Sequence, residues 1–131
     1  MSVIQILVVD DFLPWQHLIR AILESEPDLK IVGTAADGLE AIQKATDIQP
    51  DVILMDICLT RMSGFEATRH IRLLSPSSRI IFLTECRGAD FIETAFQAGG
   101  LGYVLKSDAN SDLLACIRAV LRGKLFVGRG L

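Results

Sequence analysis

The sequence lacks an apolar run long enough to cross a bilayer, for which ~18 or more consecutive apolar residues are needed. Its longest apolar stretch, residues 3–9, is interrupted by Gln5 and is followed by two aspartates. No basic segment with a small-residue cleavage site, the pattern of a secretory signal, precedes that stretch. We therefore expect no membrane association and a cytoplasmic location.

The chain also lacks a net positive charge, and it has only three cysteines. The formal net charge is −3, which gives no support for direct nucleic-acid binding. The three cysteines, Cys58, Cys86 and Cys116, are odd in number and widely separated, without the spacing of a metal site. The sequence predicts that they are buried free thiols in a reducing compartment.

What the chain does have is apolar residues, 50% of its 131 positions, enough to bury a substantial core. Apolar runs that favour strands cover residues 4–9, 29–34, 52–55, 80–83 and 102–105. Segments with helical spacing follow them, bounded by prolines and glycines, and the last helix is expected to start near Asn110 or Ser111, both good N-caps. Strands that alternate with helices in this way predict an α/β, doubly wound (βα)₅ domain with a parallel sheet covered by helices on both faces. Residues 1–123 would form this domain, and 124–131 a tail or the start of a linker.

The residue that ends each strand is the most informative feature. The first strand ends in Asp10 and Asp11, the third in Asp56, the fourth in Thr84 and the fifth in Lys106. Ligands bind at the carboxyl ends of the strands in open parallel sheets, so these side chains are expected to share one crevice. Each of them alone is more typical of a loop cap, a strand-end hydroxyl or a solvated charge. Their occurrence together at four strand ends favours a functional site.

Three adjacent carboxylates repel one another unless they become protonated or bind a cation. Mg²⁺ suits such a set, since it binds carboxylate and phosphate oxygens. Lys106 would supply a positive charge for a phosphoryl group and Thr84 a hydroxyl donor. An aspartate in such surroundings can accept a phosphoryl group.

Four of these residues, all except Thr84, lie in segments that resemble the receiver domains of two-component response regulators, with a sequence most similar to the NarL/FixJ subfamily. The segments are Val-Asp-Asp at 9–11, Ala-Asp-Gly-x-Glu-Ala at 36–41, residues 51–57 around Asp56, and Gly-Tyr-Val-Leu-Lys at 102–106. The resemblance covers nearly the whole chain and implies a flavodoxin-like five-stranded sheet of order 2-1-3-4-5. It also implies a signalling switch that is phosphorylated on aspartate and is not a turnover enzyme.

The resemblance implies a role for each matching residue. Asp56 matches the phosphoacceptor, and Asp11 and Asp56 match the side chains that bind Mg²⁺ directly. Asp10 matches the acid that acts through a water molecule, and the backbone carbonyl of Cys58 would complete the protein's share of the metal ligands.

Three more positions and the partners follow from the same resemblance. Lys106 matches the lysine that contacts the phosphoryl group, and Thr84 and Tyr103 match a switch pair in which the hydroxyl moves to the phosphate and the ring follows inward. The donor would be a sensor histidine kinase or a phosphotransfer protein, and phosphorylation could drive homodimerisation. Transcriptional output would need a DNA-binding helix-turn-helix, which does not fit after Gly123, so we expect a stand-alone receiver or an excised domain.

Three positions depart from the family pattern. Thr60 and Ser107 stand where proline is frequent, and Glu85 replaces the usual small residue after the switch threonine, which puts the rate of phosphorylation in question.

Three other classes of protein share parts of this pattern. A flavodoxin-type binding module would want a Ser/Thr/Gly-rich loop after the first strand, where residues 10–14 read Asp-Asp-Phe-Leu-Pro. A haloacid-dehalogenase-type phosphatase would need a second aspartate, which the sequence at 56–58 lacks. A degenerate receiver that binds partners independently of phosphorylation stays open.

Five further side chains are not expected to take part in the chemistry. His17 and His70 are predicted to be surface residues of helices, Trp15 a packing residue, and Cys58 and Cys86 structural thiols near the site.

Overall fold

The computed structural model describes residues 2–129 and 131. Its strands are β1 Ile4–Val9, β2 Leu29–Ala35, β3 Val52–Met55, β4 Arg79–Thr84, β5 Gly102–Leu105 and β6 Phe126–Val127. Its α-helices are α1 Leu13–Leu23, α2 Gly38–Ile48, α3 Gly64–Leu74, α4 Ala89–Ala98 and α5 Ala109–Leu121. In this part of the chain, no helix is both long and apolar enough to cross a bilayer.

The strands form one parallel sheet in the order β2-β1-β3-β4-β5-β6. The doubly wound fold and the order of its first five strands are as predicted. The sixth strand was not predicted, because a strand of two residues is too short to show the alternation of apolar and polar residues. It pairs with β5, and the Gly128 amide donates to the Tyr103 carbonyl at 2.8 Å. Whether residues 124–131 also begin a linker stays a prediction.

Both faces of the sheet are buried, which explains why the strands are almost continuously apolar. In β1, Ile6 and Val8 contribute to a core with α1 and α5, while Leu7 and Val9 contribute to a second core with α2, α3 and α4. The polar residues that follow the strands are thereby left at the carboxyl edge of the sheet.

Local signals set most of the helix ends. Pro14 lies in the first turn of α1, where its missing N–H costs no hydrogen bond. Asp37 caps α2 by accepting from the Glu40 amide at 2.9 Å, and Gly99 ends α4 with a left-handed φ of 112°. α5 starts near the predicted position, at Ala109, but a 3-10 turn over Lys106–Asp108 leads directly into it and neither Asn110 nor Ser111 is its cap.

Candidate functional site

The polar residues at the strand ends meet at the carboxyl edge of the sheet. Asp10, Asp11 and Asp56 each offer a carboxylate oxygen, and these oxygens lie within 4.8 Å of one another. They adjoin an open cleft of about 370 Å³. The cleft is lined by Asp11, Phe12, Trp15, Asp56, Cys58, Thr84, Glu85, Cys86 and Lys106. The structure therefore brings together all five residues that the strand ends singled out.

Lys106 bridges two of the three carboxylates. Its Nζ lies 2.7 Å from Oδ2 of Asp10 and 3.2 Å from Oδ2 of Asp56. All three residues are buried, with exposed fractions of 6% for Lys106, 2% for Asp10 and 6% for Asp56. Three carboxylates and one ammonium group leave a formal charge of −2, which one divalent cation would balance.

For Asp10 and for Lys106, burial and ion pairing shift the pKa in opposite directions. Burial raises the pKa of Asp10 above its usual value, although the hydrogen bond from Lys106 opposes the rise. Burial alone would lower the pKa of Lys106, but the hydrogen bond to Asp10 and the charge of Asp56 outweigh it and raise this pKa. Lys106 therefore stays protonated at neutral pH and offers a fixed positive charge beside Asp56.

The start of α1 positions Asp10. Its Oδ1 accepts the Phe12 amide at 2.9 Å, and its backbone carbonyl accepts from Nε2 of Gln16 at 2.8 Å. The Trp15 ring lies under Lys106, with Nζ 5.2 Å from the ring centroid, a cation–π arrangement. Trp15 was expected only to pack, so its contact with Lys106 is a site feature that the sequence analysis missed.

The loop after Asp56 is held by a close backbone approach. A Cβ at Gly64 would lie 2.0 Å from the carbonyl oxygen of Asp56, so only glycine fits at the start of α3. The Gly64 amide donates to the Ile57 carbonyl at 2.9 Å. On the outer side of the loop, Arg61 forms an ion pair with Asp37, the cap of α2, with Nη2 2.5 Å from Oδ2.

The donor set fits a hard divalent cation. The three candidate ligand side chains, Asp10, Asp11 and Asp56, are all carboxylates, and Asp11 is exposed at the mouth of the cleft rather than paired with Lys106. Mg²⁺ takes oxygen ligands of this kind and retains several waters, which an open cleft permits.

The profile of the response regulator receiver domain matches residues 6–118 of the chain. This chain is a response-regulator receiver domain. It is similar to the transcriptional regulatory protein LiaR of Bacillus subtilis, with 36% identity over 121 residues that cover 92% of this chain and 57% of LiaR. It also resembles the crystal structure of a LuxR-family two-component response regulator from Aurantimonas sp. SI85-9A1, with a TM-score of 0.93, 36% identity and coverage of 98% and 92% of the two chains. These relatives support the NarL/FixJ-type subfamily.

The receiver spans about half the length of the curated regulators that it matches. A second kind of relative is a protein-glutamate methylesterase/protein-glutamine glutaminase of Thermotoga maritima, 39% identical over 113 residues, which are 85% of this chain and 33% of the relative. Receivers like this one thus occur in proteins with different outputs.

Thr84 and Tyr103, the expected switch pair, both form a hydrogen bond with Cys86 in the loop after β4. Tyr103 is fully buried, and its hydroxyl donates to the Cys86 carbonyl at 2.7 Å. The Thr84 hydroxyl oxygen accepts the Cys86 amide at 3.3 Å. Burial raises the pKa of Tyr103, so its hydroxyl remains a donor at all physiological pH values. The ring therefore lies inward in this structure, held by the same residue that contacts Thr84.

The cysteines correct one prediction. Only Cys116 is buried, while Cys58 is exposed and Cys86 half-buried, both at the cleft. Their sulfur atoms lie 3.5 Å apart. The hydrogen bond with Cys86, together with burial, raises the pKa of Cys58 to about 11. The backbone carbonyl of Cys58 belongs to this same loop, but its role as a metal ligand stays a prediction.

The three departures from the family pattern are all exposed, namely Thr60, Glu85 and Ser107. Glu85 lines the mouth of the cleft, and among residues 2–129 and 131 it forms no ion pair with Arg87. His17 and His70 are exposed on α1 and α3, as predicted.

Proposed function

We propose that this receiver accepts a phosphoryl group on Asp56 from the phosphohistidine of a sensor histidine kinase or of a phosphotransfer protein. The observation that carries the proposal is the position of Asp56, which is buried at the cleft beside the Lys106 ammonium group and close to the two other carboxylates. A phosphoryl donor that enters the cleft would meet an acceptor oxygen and a positive charge together.

In the transfer, an oxygen of Asp56 forms a bond to phosphorus while the phosphorus–nitrogen bond to the donor imidazole breaks. The imidazole leaves with the electron pair of that bond and takes up a proton. Lys106 is already 3.2 Å from Asp56, so it can stabilise the charge on the transferred oxygens without rearrangement of the backbone. Positioning and charge stabilisation account for most catalysis of this reaction type.

The proposed cofactor is Mg²⁺, which would neutralise charge on the phosphoryl oxygens when bound. Asp11, Asp56 and the backbone carbonyl of Cys58 would hold it directly. Asp10 would act through a water molecule, since its two carboxylate oxygens already accept from Lys106 and from the Phe12 amide. The formal charge of −2 in the cluster supports this assignment.

Phosphorylation would act on the switch pair. The Thr84 hydroxyl would turn from the Cys86 amide to the phosphoryl group, and Tyr103 would report the change to the surface of α4, β5 and α5. That surface is our candidate for partner binding or phosphorylation-linked homodimerisation. In a full-length regulator, residues 1–123 would be this module, the output would be transcriptional and the location cytoplasmic, with no catalytic turnover by the receiver itself.

The test is phosphorylation by acetyl phosphate, a small donor that needs no kinase, followed by intact-mass measurement. We expect one phosphoryl group per chain in the presence of Mg²⁺, and none after chelation or in Asp56→Asn. Asp47→Asn is the matched control, since Asp47 is exposed on α2 away from the cleft. Stoichiometric labelling of Asp56→Asn would refute the acceptor assignment.

A second candidate function is partner binding that is independent of phosphorylation. The exposed Glu85 at the cleft mouth favours it, because a carboxylate there repels an anionic donor. Absence of labelling in the wild-type chain, with an intact fold, would favour this alternative.

A further inference from the structure

Two cysteine side chains meet at the mouth of the cleft, one from each loop that flanks Asp56. Sγ of Cys58, in the loop between β3 and α3, lies 3.5 Å from Sγ of Cys86, in the loop between β4 and α4. Both residues line the cleft. We propose that these two cysteines form an oxidation site, at which an intramolecular disulfide ties the two loops together over the cleft.

The geometry requires little movement. The sulfur atoms of a disulfide are about 2.0 Å apart, so the gap must close by roughly 1.5 Å. Both cysteines lie in loops rather than in the sheet or the helices, and loops adjust more readily than the elements they connect. The Cys58 side is the more accessible one, because Cys58 is exposed and Cys86 half-buried.

The third cysteine provides an internal contrast. Whereas Cys58 is exposed, Cys116 is fully buried in α5, within the core formed with α1. It belongs to the opposite face of the sheet from Cys86 and Tyr103. Oxidation at the surface should therefore involve Cys58 and Cys86 and leave Cys116 unchanged.

The oxidant is a low-molecular-weight disulfide, such as oxidised glutathione. The sulfur of Cys58 attacks one sulfur of the oxidant, which forms a mixed disulfide and releases one glutathione thiol. The sulfur of Cys86 then attacks the Cys58 sulfur and releases the second glutathione. The protein loses two electrons and two protons, and one oxidised glutathione becomes two reduced molecules.

The bridge would constrain both sides of the phosphorylation site. On one side it fixes Cys58, whose carbonyl is a proposed metal ligand, and on the other Cys86, whose carbonyl holds the Tyr103 hydroxyl. We expect Asp56 to be labelled severalfold more slowly in the oxidised protein. This consequence rests on the proposed function, whereas formation of the disulfide does not.

The test equilibrates the whole chain in glutathione redox buffers, followed by acid quenching, alkylation and mass spectrometry. Equilibrium populations are compared, so the outcome does not depend on how fast the thiols react. We expect the wild type to lose two thiols together, without bound glutathione, and peptide mapping to join Cys58 to Cys86. Cys116→Ala should behave in the same way, while Cys58→Ser and Cys86→Ser should each retain one glutathione on the remaining partner.

Glutathione adducts on unlinked Cys58 and Cys86 in the wild type, or a disulfide between two chains only, would overturn the proposal. Labelling with acetyl phosphate is then compared before and after reduction of the same oxidised sample. Recovery of labelling on reduction supports the regulatory consequence, and equal rates overturn it. If neither form is labelled, the proposed function fails, while the peptide map still decides the disulfide.

Discussion

Gly64→Ala is expected to be strongly destabilising, although alanine is the better helix former. The added Cβ would lie 2.0 Å from the carbonyl oxygen of Asp56, 2.9 Å from its carbonyl carbon and 3.0 Å from Cα of Ile57. All three are backbone atoms, so no side-chain rotation relieves the overlap. Overpacking of this kind costs about 1–3 kcal/mol or more, and the gain in helix propensity is at most ~1 kcal/mol.

We therefore expect a net loss of about 2 kcal/mol in the free energy of unfolding. For a domain of this size, the loss corresponds to a fall of roughly 6–10 °C in Tm. Thermal and urea unfolding measure it directly. The strain falls on the backbone of the acceptor, so labelling of Asp56 should slow as well in the fraction that remains folded.

Gly33→Ala is the matched control. Its Cβ would meet only the side-chain methyl groups of Ile48 and Leu7, at 3.3 and 3.4 Å, and these can shift by a few tenths of an ångström. We expect a change within about 1 kcal/mol of the wild type. If Gly64→Ala were as stable as Gly33→Ala and the wild type, the argument that a Cβ at Gly64 overlaps the Asp56 backbone would be refuted.

Three further predictions concern the site. Asp11→Ala should weaken Mg²⁺ binding in a calorimetric titration far more than Asp47→Ala, because Asp11 is the exposed member of the carboxylate cluster; equal loss would mean that the metal lies elsewhere. Glu85→Ala should speed labelling by acetyl phosphate severalfold, most clearly at low ionic strength, where screening is weakest; an unchanged or slower rate would show that Glu85 does not guard the cleft. Thr84→Ala should still be labelled but should lose the NMR shift changes around Tyr103 that phosphorylation causes in the wild type, and identical changes in both proteins would refute the coupling.

The sheet and the cluster of acidic residues were predictable because they follow from periodicity. Continuous apolar strands separated by helices specify a parallel sheet, and parallel strands bring their carboxyl ends to one edge. Asp56 and Lys106 are far apart in the sequence, yet their places at strand ends were enough to predict that they meet.

Features that depend on loop paths were not predictable. Cys58 and Cys86 lie close together because the β3–α3 loop and the β4–α4 loop are neighbours at the cleft. The spacing of the two cysteines in the sequence does not predict this contact. The two-residue strand β6 is too short to show a period. The cap of α5 was also not predictable: a 3-10 turn over Lys106–Asp108 precedes the helix, so Asp108 takes the cap position rather than Asn110 or Ser111.

The position of Trp15 makes the tryptophan fluorescence of this protein easy to interpret. It is the chain's single tryptophan, and its ring lies 5.2 Å from the ammonium nitrogen of Lys106. Indole emission responds to nearby charge, so the whole tryptophan signal originates within reach of the acceptor. Any event that draws Lys106 toward an incoming anion, or brings a cation beside Asp11 at the same cleft, changes the field at that ring. The protein thus contains a native fluorophore at its site, and no label needs to be attached to follow the occupancy of the cleft in real time.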